Sequence, residues 1–513
     1  MAVRAWRITL QQPKNDIDVF IVGAGPVGLF LANECARRSL RWRIIEQQSG
    51  QSQHSKALAI MPRTLEIFDM AGVVAPFLDA ANRVTSAAIV ANRQRLAHIA
   101  FAPANSSYPF VAMVPQNVTE TLLVDALRRK GGAVEYETSL ESAVQRSDGV
   151  DVTVEHHGRR SSVSAAFVVG CDGPHSTVRH LLDLKFEGAE YRATFMLADV
   201  ETNAALPGDE MQLCTHGDGP LAIFPMSRTH RRVIATIDRR EGAAPQLELV
   251  RSLLAQRAPE GIEARSLFWS SYFTIHHRQV AQLRVGRIFV AGDAGHIHSP
   301  FGAQGMNTGL QDVWNLAWKL DLAAHGRASE ELIESYSAER RPVIKHVIEV
   351  TDLLTKAMGT PSRFAQSIRD IMIPVVSKLP LFQQGFVQTL SELGIAYHGS
   401  PIVLGGGNRY FDESLRGGNG IGSRFLLFVG SDAGSSIAAE AKRLAEDFHD
   451  IVELRTRLQH GVALVRPDGY TAYESAIGST PNSLAAVWEV LGRQIIDSGD
   501  GAVESALVTA GAG

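Results

Sequence analysis

A short glycine-rich turn near the N-terminus has the residue types that bind nucleotide phosphates. Gly23, Gly25 and Gly28 follow the apolar run "IDVFIV", and Glu46 directly follows the next apolar run, "RWRII". The first glycine permits a tight turn, the second lets a pyrophosphate approach the backbone, and the third allows a helix to pack closely on the strand. The helix N-terminus offers free N–H groups to phosphate, and Glu46 can accept hydrogen bonds from ribose hydroxyls. We therefore expect cofactor contacts from Gly23, Gly25, Pro26, Val27, Gly28, Glu46 and Gln47.

The glycine spacing alone is weak evidence, because glycine supplies 45 of the 513 residues and such spacings arise by chance. A glycine-rich surface turn is the alternative interpretation. The strand–turn–helix–strand context and the acidic residue at its end favour a dinucleotide site. At this point both NAD(P) and FAD remain open as the cofactor.

Two later motifs bear on the choice between NAD(P) and FAD as the cofactor. The first is "FVVGCDGPHSTVRHLL", in which an apolar strand ends at a turn containing Asp172. The second is "GRIFVAGDAGHIHSPFGAQGMNTGLQDVWNLAWKL", in which a strand ends at Asp293. A loop of Pro and Gly then leads into a long amphipathic helix that begins near Met306.

The three motifs together resemble those of the single-component FAD-dependent aromatic hydroxylases, the flavoprotein monooxygenases built like para-hydroxybenzoate hydroxylase. The resemblance covers most of residues 17–345. It implies that the glycine turn binds the ADP half of FAD, that Asp172 lies near the flavin and that Asp293 binds the ribityl chain. It also places Pro300 beside the isoalloxazine and the backbone of Gly305, Met306 and Asn307 against the flavin ring.

Smaller matches extend the resemblance to three further positions. Gln116, in "VPQNVTETLLVDAL", matches a glutamine that touches FAD. Lys56 stands where family members usually carry an arginine near the flavin phosphates or the ribityl chain, and it lacks the planar fork of arginine. Leu140 matches a position that packs near the adenine.

The predicted fold class is α/β, with a Rossmann-like FAD-binding domain, an interleaved mixed β-sheet substrate domain and a C-terminal thioredoxin-like domain. Residues 1–16 are predicted to form an N-terminal tail. The FAD-binding domain comprises 17–85, 113–182 and 283–345, and the substrate domain comprises 86–112 and 183–282. A helical linker at 346–398 precedes the thioredoxin-like domain at 399–513, which contains no cysteine and therefore no redox dithiol.

The resemblance implies a monooxygenase that consumes NADPH or NADH and O2. Reduced FAD would form a C4a-hydroperoxide, from which one oxygen atom passes to a phenolic or polyphenolic substrate. No second glycine motif accommodates the nicotinamide nucleotide, so it is expected to bind transiently, and the preference between NADPH and NADH is open. The alternatives are a Baeyer–Villiger or antibiotic-modifying oxidation on the same scaffold, and a non-catalytic flavin-binding module.

The aromatic substrate is expected to contact the sheet strands that face the flavin. Phe224, Pro225 and Tyr272 are the candidate substrate-binding residues. Pro300, through its carbonyl, and Tyr272 are the candidate catalytic residues, and the catalytic base is not assigned. Both a simple phenol and a larger polyphenolic natural product are open as substrates.

Composition excludes several other classes of protein. The formal net charge of −4 argues against a nucleic-acid binder, and no apolar run has the length of a membrane span. Three separated cysteines form no C-x-x-C pair, as expected of a cytoplasmic protein. His296 and His298 lack further ligands nearby, so no metal site is expected. A homodimer is an open alternative to a monomer.

Overall fold

The computed structural model of the chain describes residues 15–52, 57–102, 104–240, 242–299, 302–358, 372–374, 377–418, 424–431, 433–457, 461–475 and 482–495. Its strands are β1 (Ile17–Val22), β2 (Trp42–Ile45), β3 (Ala59–Ile60), β4 (Asn82–Val84), β5 (Ser86–Ala91), β6 (Gln94–Ala100), β7 (Val111–Met113), β8 (Thr138–Gln145), β9 (Val150–His156), β10 (Arg159–Gly170), β11 (Phe186–Thr202), β12 (Glu210–Thr215), β13 (Leu221–Pro225), β14 (His230–Ile237), β15 (Ala264–Val280), β16 (Arg284–Val285), β17 (Ile288–Val290), β18 (His296–Ile297), β19 (Phe425–Gly430), β20 (Val452–Arg457), β21 (Val462–Val465) and β22 (Thr471–Glu474).

The helices among the described residues are α1 (Pro26–Arg37), α2 (Pro62–Met70), α3 (Val74–Ala80), α4 (Gln116–Arg129), α5 (Thr177–Leu181), α6 (Leu247–Arg257), α7 (Gly305–Ala324), α8 (Glu330–Met358), α9 (Pro380–Ser391), α10 (Ser435–Asp447) and α11 (Asn482–Gln494). Short 3-10 segments also lie at Gly292–Ala294 and Glu413–Gly418.

The first sheet carries the glycine turn. β1 lies between β2 and β10 in parallel register, and β17 extends the parallel set beyond β10. After Asp18, β1 is apolar from Val19 to Val22 because it is buried on both faces, as parallel strands usually are. Val19, Phe20 and Ile21 have no exposed surface. Helices α1 and α7 pack against each other beside this sheet, which brings the first and third motifs together.

The second sheet has eight strands in the order β18-β15-β11-β14-β13-β12-β5-β6. It is mixed, because β12 and β5 are parallel while its other pairs are antiparallel. One face packs on α6. The other face packs on β3, β7 and α9, so this sheet covers the region where the loop before α7 lies.

The third sheet, in the order β20-β19-β21-β22, belongs to the C-terminal part of the chain. Residues of α10 and α11 share its apolar core. The structure therefore confirms the predicted α/β class with a Rossmann-like unit, a mixed sheet and a C-terminal α/β unit.

Two elements cross the predicted domain boundaries. α8 runs without interruption from Glu330 to Met358, so the predicted linker does not begin as a separate element at 346. β18 lies in a predicted FAD-binding segment but pairs with β15 of the second sheet. The strand is only two residues long, which is too short for any periodic signal in the sequence.

Candidate cofactor and substrate site

Two of the three glycines in the first turn are required by close packing. A Cβ atom at Gly28 would lie 1.9 Å from the carbonyl oxygen of Gly23. A Cβ atom at Gly23 would lie 2.5 Å from the carbonyl oxygen of Cys171, and φ at Gly23 is +98°. These glycines therefore let α1 approach β1 and let the turn cross the end of β10.

Gly25 differs from the other two glycines because its missing side chain faces open space. In the described part of the chain, no atom lies within 4 Å of the position that its Cβ would take. Gly25 is also the N-cap of α1, and it has no side chain with which to cap that helix terminus. Pro26 is the first residue of α1, where its missing N–H removes no helix hydrogen bond. The arrangement leaves an accessible helix N-terminus of the kind that binds phosphate.

The carboxylate of Glu46 is fixed beside this turn. Its Oε2 accepts a hydrogen bond from Ala24 N at 2.9 Å, and its Oε1 accepts one from Gln48 N at 3.0 Å. Glu46 is half-buried, and the neighbouring Gln47 is exposed. The acidic group predicted for ribose binding is thus held at the edge of the glycine turn.

Asp172, in the second motif, stabilises its own turn. Its Oδ1 accepts a hydrogen bond from Ser176 Oγ at 2.5 Å, and its Oδ2 accepts one from Val178 N at 3.2 Å. Burial raises the pKa of this carboxyl, although these hydrogen bonds oppose the shift. Arg179 then donates to the carbonyl oxygen of Ala294 at 3.2 Å, so the second motif is joined to the third.

The third motif meets the first at Val27. A Cβ atom at Gly292 would lie 3.0 Å from Val27 Cγ2, and one at Gly309 would lie 2.7 Å from the same atom. Asp293 follows Gly292 in the 3-10 turn and is exposed, although its neighbours on both sides are buried. Asp293 is therefore accessible at the point where α1 and α7 converge.

The N-terminus of α7 has the features expected for a site that binds an anionic ring. Its N-cap residue, Gln304, makes no side-chain capping hydrogen bond, and the first N–H groups of a helix lack acceptors within it. Gly305 and Met306 retain accessible surface. Asn307 is fully buried, and its amide bridges Met61 N and the carbonyl of Ala59, both at 2.9 Å. The side chain of Asn307 thus anchors β3 to α7.

The residues present fit FAD. Gly25, Glu46, Asp293 and Gly305 keep accessible surface although most of their neighbours are buried. Together they offer an uncapped helix N-terminus for the diphosphate, carboxylates for sugar and ribityl hydroxyls, and a second helix N-terminus that favours negative charge. Reduced flavin carries such a charge.

The remaining residues that were predicted to contact the cofactor lie in different parts of the structure. Gln116 begins α4, where its Oε1 accepts from Ala57 N at 3.2 Å and its Nε2 donates to Glu120 Oε1 at 3.0 Å. Leu140 is buried in β8 within the core of the first sheet. Lys56 and Pro300 lie outside the described residues, so their predicted roles stay predictions.

The predicted substrate residues do not share one face of the second sheet. Phe224 belongs to the apolar cluster that also contains Val387 of α9 and Ala303 of the loop before α7, and Pro225 follows it, buried, at the end of β13. Tyr272 packs instead on the cluster formed with α6. Strand side chains alternate between faces, so the neighbouring residue Phe273 shares the face of Phe224. This placement argues against a substrate contact for Tyr272.

An apolar cavity of about 410 Å³ opens beside the loop before α7. Its walls come from that loop, from the C-terminal half of α8 and from α9. The lining residues are Gly302, Gln304, Val350, Leu353, Leu381, Phe382, Gly385, Phe386, Thr389 and Leu390. The predicted helical linker at 346–398 contains α9, and its role as a cavity wall was not predicted. The available signal is "PLFQQGFVQTL", which has apolar residues at helical spacing.

Other kinds of site receive no support from the described part of the chain. There, no group of three or more His, Cys, Asp or Glu side chains is placed to hold a metal ion. His296 instead pairs with Asp312, their Nε2 and Oδ2 atoms 2.7 Å apart. No helix among the described residues is long and apolar enough to cross a membrane.

Comparison with known proteins agrees with this geometry. The family model described as "FAD binding domain" matches residues 16–351. The 6-methylpretetramide 4-monooxygenase of Streptomyces rimosus is 30% identical, over 95% of this chain and 96% of that protein. A rifampicin monooxygenase of Streptomyces venezuelae is 29% identical, over 89% of this chain and 95% of that protein. The solved structure of an anhydrotetracycline hydroxylase from Streptomyces rimosus superposes with a TM-score of 0.76 at 29% identity, covering 93% of this chain and 99% of that one. The chain therefore belongs to the FAD-binding-domain family and is an FAD-dependent monooxygenase of the single-component aromatic hydroxylase class.

Proposed function

We propose that the protein uses NADPH or NADH as electron donor and inserts one atom of O2 into a polyphenolic aromatic substrate. The relatives described above are named for 6-methylpretetramide, anhydrotetracycline and rifampicin. These names support a larger natural product or antibiotic, rather than a simple phenol, as the substrate of this chain.

One structural observation carries the proposal. The loop before α7 contributes Gly302 and Gln304 to the wall of the apolar cavity, and Gln304 is also the N-cap of α7. A ring bound in the cavity and a flavin bound at the N-terminus of α7 would thus be separated by a few residues of one loop. Substrate pockets are usually concave and mainly apolar, with few polar groups, and this cavity has that character.

The protein's own residues have three tasks in this reaction. FAD, when bound, accepts a hydride from the nicotinamide and delivers one oxygen atom of O2 to the substrate. Gly25 and Glu46 hold its ADP half, and Asp293 holds its ribityl chain. The N-terminus of α7 stabilises negative charge on the reduced ring through the helix dipole. The apolar walls beside the substrate reduce its contact with water, which limits unproductive side reactions.

One set of assays on purified, FAD-loaded enzyme tests the electron donor and the two alternative functions, a Baeyer–Villiger oxidation and a non-catalytic flavin-binding module. NADPH and NADH oxidation are measured separately with one-ring and multi-ring phenols, and products are identified by NMR. We expect a phenolic product from a multi-ring substrate. A lactone or ester would identify the Baeyer–Villiger alternative, and no oxidation with any substrate would favour the non-catalytic module. Light scattering on the same sample decides between a monomer and a homodimer.

A further inference from the structure

Helix α9 presents one continuous face to the apolar cavity. Leu381, Phe382, Gly385, Phe386 and Leu390 all line it. Two adjacent pairs among them are separated by three and four residues, which places them on one side of a helix. Leu381 and Phe382 are also exposed, at 85% and 38%. The cavity is therefore accessible from solvent at this end of α9.

Gly385 lies in the middle of this helical face and is exposed. Among the described residues, no atom lies within 4 Å of the position that its Cβ would take. The residue has no positive φ that would require glycine, and glycine is a poorer helix former than alanine or leucine. The local effect of glycine at this position is to leave part of the cavity unfilled.

The size of the cavity indicates the class of ligand that fills it. A cavity of roughly 150 Å³ lined by apolar side chains is enough to bind benzene. The cavity here measures about 410 Å³, which is close to three times that volume. Phe382 and Phe386 stack along its wall with ring centroids 6.2 Å apart and an interplanar angle of 22°. This wall suits a flat, uncharged ligand with two or three fused aromatic rings.

The wall is tied to the loop that precedes α7. Gln304 Nε2 donates a hydrogen bond to the carbonyl oxygen of Thr389 at 2.8 Å, so α9 is linked to the N-cap residue of α7. A Cβ atom at Gly302 would lie 2.8 Å from Thr351 Cγ2 of α8. The loop is therefore held closely between both helices that line the cavity.

We propose that Gly385 is the specificity-determining position of this enzyme. By leaving the centre of the α9 face open, it admits a fused polycyclic aromatic substrate beside Gly302 and Gln304. This inference rests on the proposed function, because it assigns the substrate of that reaction to the α9 cavity. A leucine at the same position would occupy the space of one ring.

The test compares Gly385→Leu with Gln384→Leu. Gln384 is exposed on the same helix and does not line the cavity, so its variant controls for adding an apolar side chain to α9. The dissociation constants of a hydroxyanthraquinone and of phenol are measured by titration of the FAD-loaded enzymes. For Gly385→Leu we expect at least a tenfold weaker hydroxyanthraquinone complex and less than a twofold change for phenol. Gln384→Leu should match the wild type.

A variant with a smaller added side chain and a turnover assay distinguish failure of this inference from failure of the proposed function. Gly385→Ala adds one methyl group and should give an intermediate change, whether or not the leucine variant folds. If the wild type binds no hydroxyanthraquinone, or if Gly385→Ala and every folded Gly385 variant bind it as tightly as the wild type, the inference is overturned. If the binding pattern holds but no variant or wild type oxidises NADPH or NADH with either compound, the proposed function fails while the ligand assignment stands.

Discussion

His296 Nε2 lies 2.7 Å from Asp312 Oδ2, and both side chains are almost completely buried. The same carboxylate oxygen accepts from Gly292 N at 3.1 Å, and the other accepts from Arg340 Nε at 2.7 Å. Asp312 therefore joins α7, α8, β18 and the 3-10 turn that presents Asp293. Burial alone would raise the pKa of Asp312, but His296 and Arg340 outweigh burial and lower it.

Replacing Asp312 with Asn should strongly destabilise the protein. Arg340 would be left in the core without its charged partner, and breaking a buried ion pair in this way costs about 3–5 kcal/mol. Urea denaturation measures the free energy of unfolding. The control is Asp125→Asn at an exposed ion pair, which should change it by less than about 0.5 kcal/mol. Equal stabilities for the two variants would contradict the role of Asp312.

Gly25→Ala and Gly28→Ala should separate cofactor binding from folding. A Cβ at Gly28 meets backbone at 1.9 Å, whereas one at Gly25 meets nothing within 4 Å. We expect Gly28→Ala to lower the free energy of unfolding of the apoprotein. Gly25→Ala should leave that energy unchanged but weaken FAD binding, because its methyl group occupies the approach of the diphosphate. Tight FAD binding by Gly25→Ala would place the diphosphate elsewhere.

Asp293→Ala should weaken FAD binding without unfolding the protein. We propose that the exposed carboxylate binds ribityl hydroxyls. Losing such hydrogen bonds costs about 1–3 kcal/mol, or roughly a tenfold to hundredfold rise in the dissociation constant of FAD. Flavin fluorescence titration measures this constant, and circular dichroism confirms the fold. An unchanged dissociation constant would remove Asp293 from the site.

Glu392 should make stability depend on pH. Burial raises the pKa of this carboxyl to about 8 and Asp312 adds to the rise, although Arg340 and the hydrogen bond from Gln311 Nε2 oppose it. The folded protein therefore holds this proton more tightly than the unfolded chain does. The bound proton of Glu392 therefore adds to the free energy of unfolding below about pH 4.5. This contribution is lost as the pH rises to about 8, because the unfolded chain releases the proton over this range while the folded protein still holds it.

Glu392→Gln removes this dependence. We expect its free energy of unfolding, measured in urea at pH 5, 7 and 9, to fall less over this range than that of the wild type. Other titrating groups contribute equally to both proteins. Parallel pH profiles for the two proteins would show that Glu392 does not hold a proton with raised affinity.

The glycine turn and the parallel sheet could be predicted from sequence because their signals are local. Gly23 and Gly28 have fixed roles in a strand–turn–helix unit, and the long apolar run of β1 reflects burial on both faces. The face on which Tyr272 lies could not be predicted, because strand side chains alternate between two faces. Only the register with β11, where Met196 pairs with Tyr272, decides it.

The α9 wall could not be predicted for a different reason. Its apolar residues indicate an amphipathic helix, but the sequence does not say which surface that helix covers. The hydrogen bond between Gln304 and Thr389 joins residues 85 positions apart, and Asp312 likewise joins four elements through contacts that have no sequence spacing of their own. Such contacts depend on the packed fold rather than on a local pattern.

This flavoprotein is expected to transfer one oxygen atom from O2 to an aromatic ring. The most direct test is mass spectrometry of the product formed under ¹⁸O2, with NADPH or NADH and a polycyclic phenol. We expect one ¹⁸O atom in each new hydroxyl group and none from ¹⁸O-labelled water. Unlabelled product, or consumption of NADPH or NADH that yields hydrogen peroxide alone with every aromatic compound offered, would contradict it.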